Sequence, residues 1–192
     1  MKESLKKIIG KYGVIPQLEY LYTEMWELTE AIKERDNLPD REEVDGELFG
    51  MNLSIDMAEE HIKEEIADNF VMLYQFPIHY LELIDDNEYI AEFVYRSDSV
   101  EHIDDIKKYS KDMQKDLCRL TRCIAILEER DQDYLCQRQY EELEPLVKTI
   151  MYKLESIAAY YEIGMYSIKE VMDYKIERQL ERIKKGKWIE WI

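Results

Sequence analysis

The sequence predicts an all-α protein, and three observations carry that expectation. Glycine (6) and proline (4) are scarce among the 192 residues, so little interrupts a helix. Apolar residues recur at steps of 3 and 4 through several long windows, the period that lines one helical face. Hydrophobic residues make up 46% of the chain, enough for a real core. At this length one domain is expected, residues 1–192.

The first helix is short and amphipathic, from Met1 to Gly10 through Leu5, Ile8 and Ile9, with Gly10 and Gly13 ending it. Pro16 suits the first turn of the second helix, which reaches about Arg35 and carries the stripe Leu18, Leu21, Met25, Leu28 and Ile32. Asn37-Leu38-Pro39-Asp40 breaks it, and residues 41–52 read as an acidic loop. Ser54 is placed to cap a third helix that runs to Pro77 on Ile55, Ile62, Ile66 and Leu73. Residues 78–92 form another helix, or continue this one beyond a kink at Pro77.

Tyr95-Arg96-Ser97-Asp98 breaks the pattern again. A long helix follows from about Ser99 to Glu129, with Ile103, Ile106, Met113, Leu117, Leu120, Ile124 and Leu127 on one face. The next series passes through Tyr140, Leu143, Val147, Ile150, Leu154, Ile157 and Tyr161, with Pro145 as a kink or fresh start and Gly164 as C-cap. Ser167-Ile168-Lys169-Glu170 reads as a capping box opening the last helix, whose stripe is Met172, Ile176, Leu180 and Ile183. Gly186 ends it, and Trp188 and Trp191 form an aromatic tail expected to pack on this chain or on a second subunit.

Charge narrows the function. Against 43 acidic residues stand 26 basic ones, a net charge of −17, which makes nucleic acid a poor partner. Cys118, Cys123 and Cys136 form no CxxC pattern and read as free thiols of a reducing cytoplasm. His61, His79 and His102 are scattered, so no zinc signature appears. No run approaches the ~18 apolar residues of a membrane span, and no apolar segment follows Lys2, Lys6 and Lys7. A cytoplasmic protein without a membrane partner is the expectation.

Two acidic pairs stand out, Glu24 with Glu27 and Glu65 with Asp68. Each pair is spaced i,i+3, which puts both carboxylates on one helical face, roughly 5–6 Å apart at Cβ. Spacing alone decides nothing, because about nine such pairs arise by chance in so acidic a chain. Position decides more. On the second helix Gln17, Tyr20, Glu24, Glu27 and Ala31 form a seam one residue behind the core stripe. On the third, Ala58, His61, Glu65, Asp68 and Met72 do the same. Both pairs thus lie on the shoulder of a buried face, and two such helices side by side would bring four carboxylates to one point. That arrangement repels itself unless a divalent cation sits in it, and oxygen ligands suit Mg²⁺ or Mn²⁺.

Beside the last stripe, Lys175, Arg178 and Arg182 step by 3 and 4. Such a stripe either pairs with acidic helices of the same chain or holds a polyphosphate. His61 reads as a structural histidine, Trp26 as an insertion or subunit contact, and Tyr20 and Met72 as core packing before nucleobase contact.

With their surroundings, these residues resemble the MazG-like, all-α nucleoside triphosphate pyrophosphohydrolases. Glu24-x-x-Glu27 and Glu65-x-x-Asp68 match that family's ExxE…ExxD signature, with Gln17-Leu18, Leu28, Ala31-Ile32 and Glu64-Glu65-Ile66-Ala67-Asp68 around them. Ala158-Ala159-Tyr160-Tyr161-Glu162-Ile163-Gly164 and the Lys175, Arg178, Arg182 pattern are similar to the family's closing segment. The resemblance covers about residues 14–77 and 157–187 and implies a four-helix-bundle-like core, with about residues 78–156 as a helical insertion before the last basic helix.

The resemblance further implies Mg²⁺-dependent hydrolysis of a (d)NTP between the α- and β-phosphates, giving a monophosphate and pyrophosphate. Glu24, Glu27, Glu65 and Asp68 would hold the metal, Lys175, Arg178 and Arg182 the triphosphate, in a homodimer or homotetramer. Thr23 departs from the pattern, since many members carry a second glutamate there. The long insertion departs too, although the related dimeric dUTPases carry extra helices. Two other readings compete: an acidic helical protein that mimics nucleic acid, and a nucleotide sensor on the same fold that does not cleave.

Overall fold

The computed structural model describes residues 1–39, 49–81, 103–129 and 134–186. Among these residues are six helices and no strand, as the apolar periodicity predicts. They are α1 (Lys2–Tyr12), α2 (Val14–Asp36), α3 (Phe49–Leu81), α4 (Ile106–Glu129), α5 (Tyr134–Tyr160) and α6 (Met165–Lys184). The loop expected at 41–48, the helix beyond Leu81, the break at 95–98, His102 and the tail bearing Trp188 and Trp191 lie outside the described residues.

α3 is the central helix. Every residue from Asn69 to Ile78 is buried, so this segment is covered on all sides and not along one stripe. Its neighbours are α1, α2, α5 and α6, while α4 lies against α5 and α2. The apolar side chains of all six helices join in one buried cluster, in which Leu21, Leu28, Ile62, Ile66, Leu120 and Leu154 are fully covered. Helices α4 and α5, which carry most of the described part of residues 78–156, add to the same core. Thr29 of α2 links to α4: its hydroxyl lies 3.1 Å from that of Ser110, and Gln114 Nε2 donates to it at 3.3 Å.

Pro77 and Pro145, two of the four prolines, sit inside their helices, α3 and α5. Each removes one backbone donor; at Pro77, which is buried, packing on several sides keeps the helix going across the gap. The sequence alternative of continuation past Pro77 is the one that holds, to Leu81.

Several local expectations are corrected. α3 begins at Phe49, so residues 49–52 are helical and Ser54 lies inside the helix instead of capping it. Gly10 is helical; the break falls at Gly13, whose φ of 87° turns the chain and whose N–H donates to Ile9 O at 2.7 Å. α5 ends at Tyr160 without using Gly164. Glu162 takes the left-handed position instead, with φ 57°. Ile163 N–H donates to Ala158 O (2.8 Å) and Glu162 N–H to Ala159 O (3.1 Å), the paired bonds of a Schellman turn. Gly164 is extended, at φ −70°, and precedes α6. Ser167 then falls in the first turn, where its hydroxyl donates to Gly164 O at 2.7 Å, so the expected capping box is absent. Tyr140, expected on the α5 stripe, is exposed and meets Tyr80 edge to face. No described helix is long and apolar enough to cross a membrane.

Candidate metal centre

The core stripes of α2 and α3 set the position of the acids. Leu21, Met25 and Leu28 on α2 and Ile62 and Ile66 on α3 are at most 1% exposed, and the two helices pack along them. The seam one residue away is drawn into the same interface. Glu24 and Glu65 are consequently buried, at 6% and 7% exposure, and Glu27 is half-buried. Glu19 and Glu64, on the outer faces of the same helices, are exposed. One carboxylate oxygen from each of Glu24, Glu27 and Glu65 lies within 4.8 Å of the other two.

Three carboxylates so close and so dry cannot all keep their charge at no cost. Burial pushes the Glu24 carboxyl up to about 8, reinforced by the charges of Asp68, Glu65 and Glu27, with Lys175 acting the other way. Burial likewise pushes Glu65 up to about 7, with Asp68 and Glu27 adding to it. The Glu65 Oε2 atom is buried and has no hydrogen-bond partner among the described residues, while Oε1 lies 3.4 Å from His61 Nε2. His61 Nδ1 in turn lies 3.5 Å from Glu34, so this half-buried ring bridges α2 and α3 at the edge of the centre, consistent with a structural histidine.

Asp68 takes a different place from its three expected companions. Its carboxylate accepts from the Lys175 ammonium on α6, and both side chains are largely buried. Burial raises the Asp68 carboxyl above its ordinary range even so, because desolvation outweighs the ammonium. The basic stripe accordingly divides. Lys175 enters the acidic centre, Arg178 on the next turn is exposed, and half-buried Arg182 acts on Tyr12 of α1, lowering a phenol that burial raises. For Lys175 the ion-pairing alternative is realised; it also puts a cation beside the carboxylates.

Three amides near the acidic pairs and Lys175 are buried, and the sequence reading assigned none of them a role. Gln17, two turns before Glu24, is fully buried, and neither amide atom is hydrogen-bonded among the described residues. Asn69, next to Asp68, donates Nδ2 to Glu65 O at 2.8 Å, and its Oδ1 is unpartnered among the described residues. Gln179, one turn after Lys175, is buried, with Oε1 unpartnered among the described residues. The signal was present for Gln17, an amide on a core-facing seam. Met72 is buried, with its sulfur accepting from Gln75 Nε2 at 3.4 Å, and Tyr20 packs partly buried against the core, as expected for packing residues. Trp26 is 60% exposed within this chain.

Chemically, the centre offers hard oxygen donors on two rigid helices, an unpartnered carboxylate oxygen, and one ammonium. That donor set fits a small divalent cation such as Mg²⁺ or Mn²⁺ and suits neither thiolate- nor imidazole-seeking metals. Comparison of the chain with protein-family models, with curated proteins and with solved structures finds no match.

Proposed function

We propose that this protein is a nucleoside triphosphate pyrophosphohydrolase dependent on Mg²⁺, with Mn²⁺ as a substitute. The observation that carries the reading is the meeting of Glu24, Glu27 and Glu65, within 4.8 Å, in a buried seam between α2 and α3. The likeness of ExxE…ExxD and of the closing basic helix to MazG-like enzymes supports the same reading. Glu24, Glu27 and Glu65, with Asp68 beside them, would hold the ion. When bound, such an ion offsets phosphate charge and makes water more acidic.

The remaining work belongs to the chain. Water attacks the α-phosphorus, the α–β anhydride bond breaks, and pyrophosphate leaves. One of the glutamates of the centre would take the proton of the attacking water as general base. Lys175 turns from Asp68 to the incoming phosphates, and Arg178 and Arg182 extend the cationic side. Packing of α2 on α3 keeps the centre dry, which strengthens each of these interactions.

Burial favours this reading over an acidic nucleic-acid mimic, which needs its carboxylates exposed. A non-cleaving nucleotide sensor would use the same residues, and turnover separates the two. Hydrolysis in ¹⁸O-labelled water tests the position of attack: label in the nucleoside monophosphate is expected, and label in pyrophosphate or orthophosphate would refute attack at the α-phosphorus.

A further inference from the structure

The acidic centre carries a cation of the chain's own. Lys175 reaches from α6 to the seam of α3 and donates to the carboxylate of Asp68. Its charge also acts on Glu24 and Glu65, lowering carboxyls that burial raises. Only 20% of the Lys175 side chain and 17% of the Asp68 side chain are exposed, so water screens the pair poorly. Asp68 lies one turn beyond Glu65 on the same seam, yet the three carboxylates that converge within 4.8 Å are those of Glu24, Glu27 and Glu65. The fourth acid is engaged by the ammonium beside them.

Three features make that engagement replaceable. Among the described residues Lys175 forms no other ion pair, so Asp68 alone holds its charged head. Lysine ends in a compact point charge on a flexible four-carbon stem, which can swing where a planar, bidentate guanidinium would be locked. Arg178, on the next turn of α6, is exposed, so a released Lys175 has a second cation beside it with which to meet phosphate. The driving force is electrostatic. A divalent ion brings twice the charge of the ammonium to the same carboxylates and repels the ammonium at close range.

We propose that Lys175 is a displaceable counter-ion: it holds Asp68 until Glu24, Glu27 and Glu65 bind a divalent cation, and then leaves Asp68 for phosphate. The centre therefore takes its ion before its substrate. The inference rests on the metal reading proposed above and adds the order of binding and the residue that enforces it. A purely structural tie between α3 and α6 would instead keep Lys175 on Asp68 with or without the ion.

Acetylation of the full chain by limiting acetic anhydride, read residue by residue by mass spectrometry, tests the exchange in EDTA and in Mg²⁺. Labelling of Lys175 is expected to rise about tenfold in Mg²⁺, the release of one charge-assisted contact. Lys153, paired with Asp116 at 2.7 Å, serves as internal control and should not change. The rise should be absent in Glu24→Gln; a rise that persists there would place the ion elsewhere and overturn the proposal. Calorimetric titration with Mg²⁺ gives a second readout, in which Lys175→Met is expected to bind the ion about tenfold more tightly than wild type because its competitor is gone. The labelling uses wild type and so decides even if Lys175→Met does not fold. Unchanged labelling of Lys175 in protein that binds Mg²⁺, or a folded Lys175→Met that binds the ion no more tightly, would overturn the exchange and leave the metal centre standing. No Mg²⁺ binding by wild type would overturn both.

Discussion

Lys175 donates to the carboxylate of Asp68 across 107 residues of sequence, and through this pair the basic helix α6 is fastened to the acidic seam of α3. The pair has a cost and a use. Removing the ammonium leaves a largely buried carboxylate without its partner. Lys175→Met is therefore expected to lower stability by about 2 kcal/mol at pH 8, read from urea unfolding. The loss should shrink at low pH, where Asp68 is protonated, and Asp68→Asn in the same chain should restore more than half of it.

The crowded carboxylates make metal-free protein less stable than a neutral version of itself. At pH 9, where Glu24 has lost its proton, Glu24→Gln keeps the shape and removes one charge, so it should raise the melting temperature in EDTA by a few degrees, given about 2–4 °C per kcal/mol for a chain of this size. The same variant should lose the stabilisation that wild type gains from Mg²⁺, which amounts to about 2.7 kcal/mol at a hundred times the dissociation constant. Thermal unfolding with and without Mg²⁺ measures both effects. A variant that is less stable without metal and still responds to Mg²⁺ would contradict the site.

Acidity should act in a defined direction. Glu24 and Glu65 bind their protons more tightly when folded, at about 8 and about 7 against 4.5 for the free side chain. The folded state thus holds more protons than the unfolded state between about pH 4.5 and 8, and stability falls as pH rises through that window. Melting of the metal-free protein at pH 5.5 and pH 8.5 checks this: the higher pH should give the lower melting temperature, and Glu24→Gln should flatten the difference.

The turn between α5 and α6 offers a test of the fold itself. Glu162 occupies a left-handed conformation that suits glycine better. Glu162→Gly should stabilise the protein by about 1 kcal/mol, the strain of a side chain in that region. An unchanged or lower unfolding midpoint would show that the Glu162 side chain makes up for its backbone.

What was legible in the sequence followed from helical period. The stripes Leu18 to Ile32 and Ile55 to Leu73 are buried as read, and the seam beside each carries Glu24 and Glu65 into the interface. Glycine misled where it was read by identity: Gly164 is extended and Glu162 makes the turn, because the two Schellman bonds and the burial of α5 hold a poorly suited residue there. The all-round burial of Asn69 to Ile78 was hidden by reading one stripe, when the near-continuous apolar run was itself the sign of a central helix. The partner of Asp68 was beyond reach, since periodicity places residues on a face and says nothing of which distant helix covers it. The Gln179 amide oxygen, unpartnered among the described residues, belongs to the same class.

The most direct test of the central claim is pyrophosphate release from a panel of NTPs and dNTPs, in Mg²⁺ and in EDTA, by wild type and by Glu65→Gln. The account predicts Mg²⁺-dependent pyrophosphate with little orthophosphate, and at least about a hundredfold loss in the variant, since disturbing even the groups around a metal's ligands costs up to that much. Release that persists in EDTA, or that survives Glu65→Gln, would contradict it.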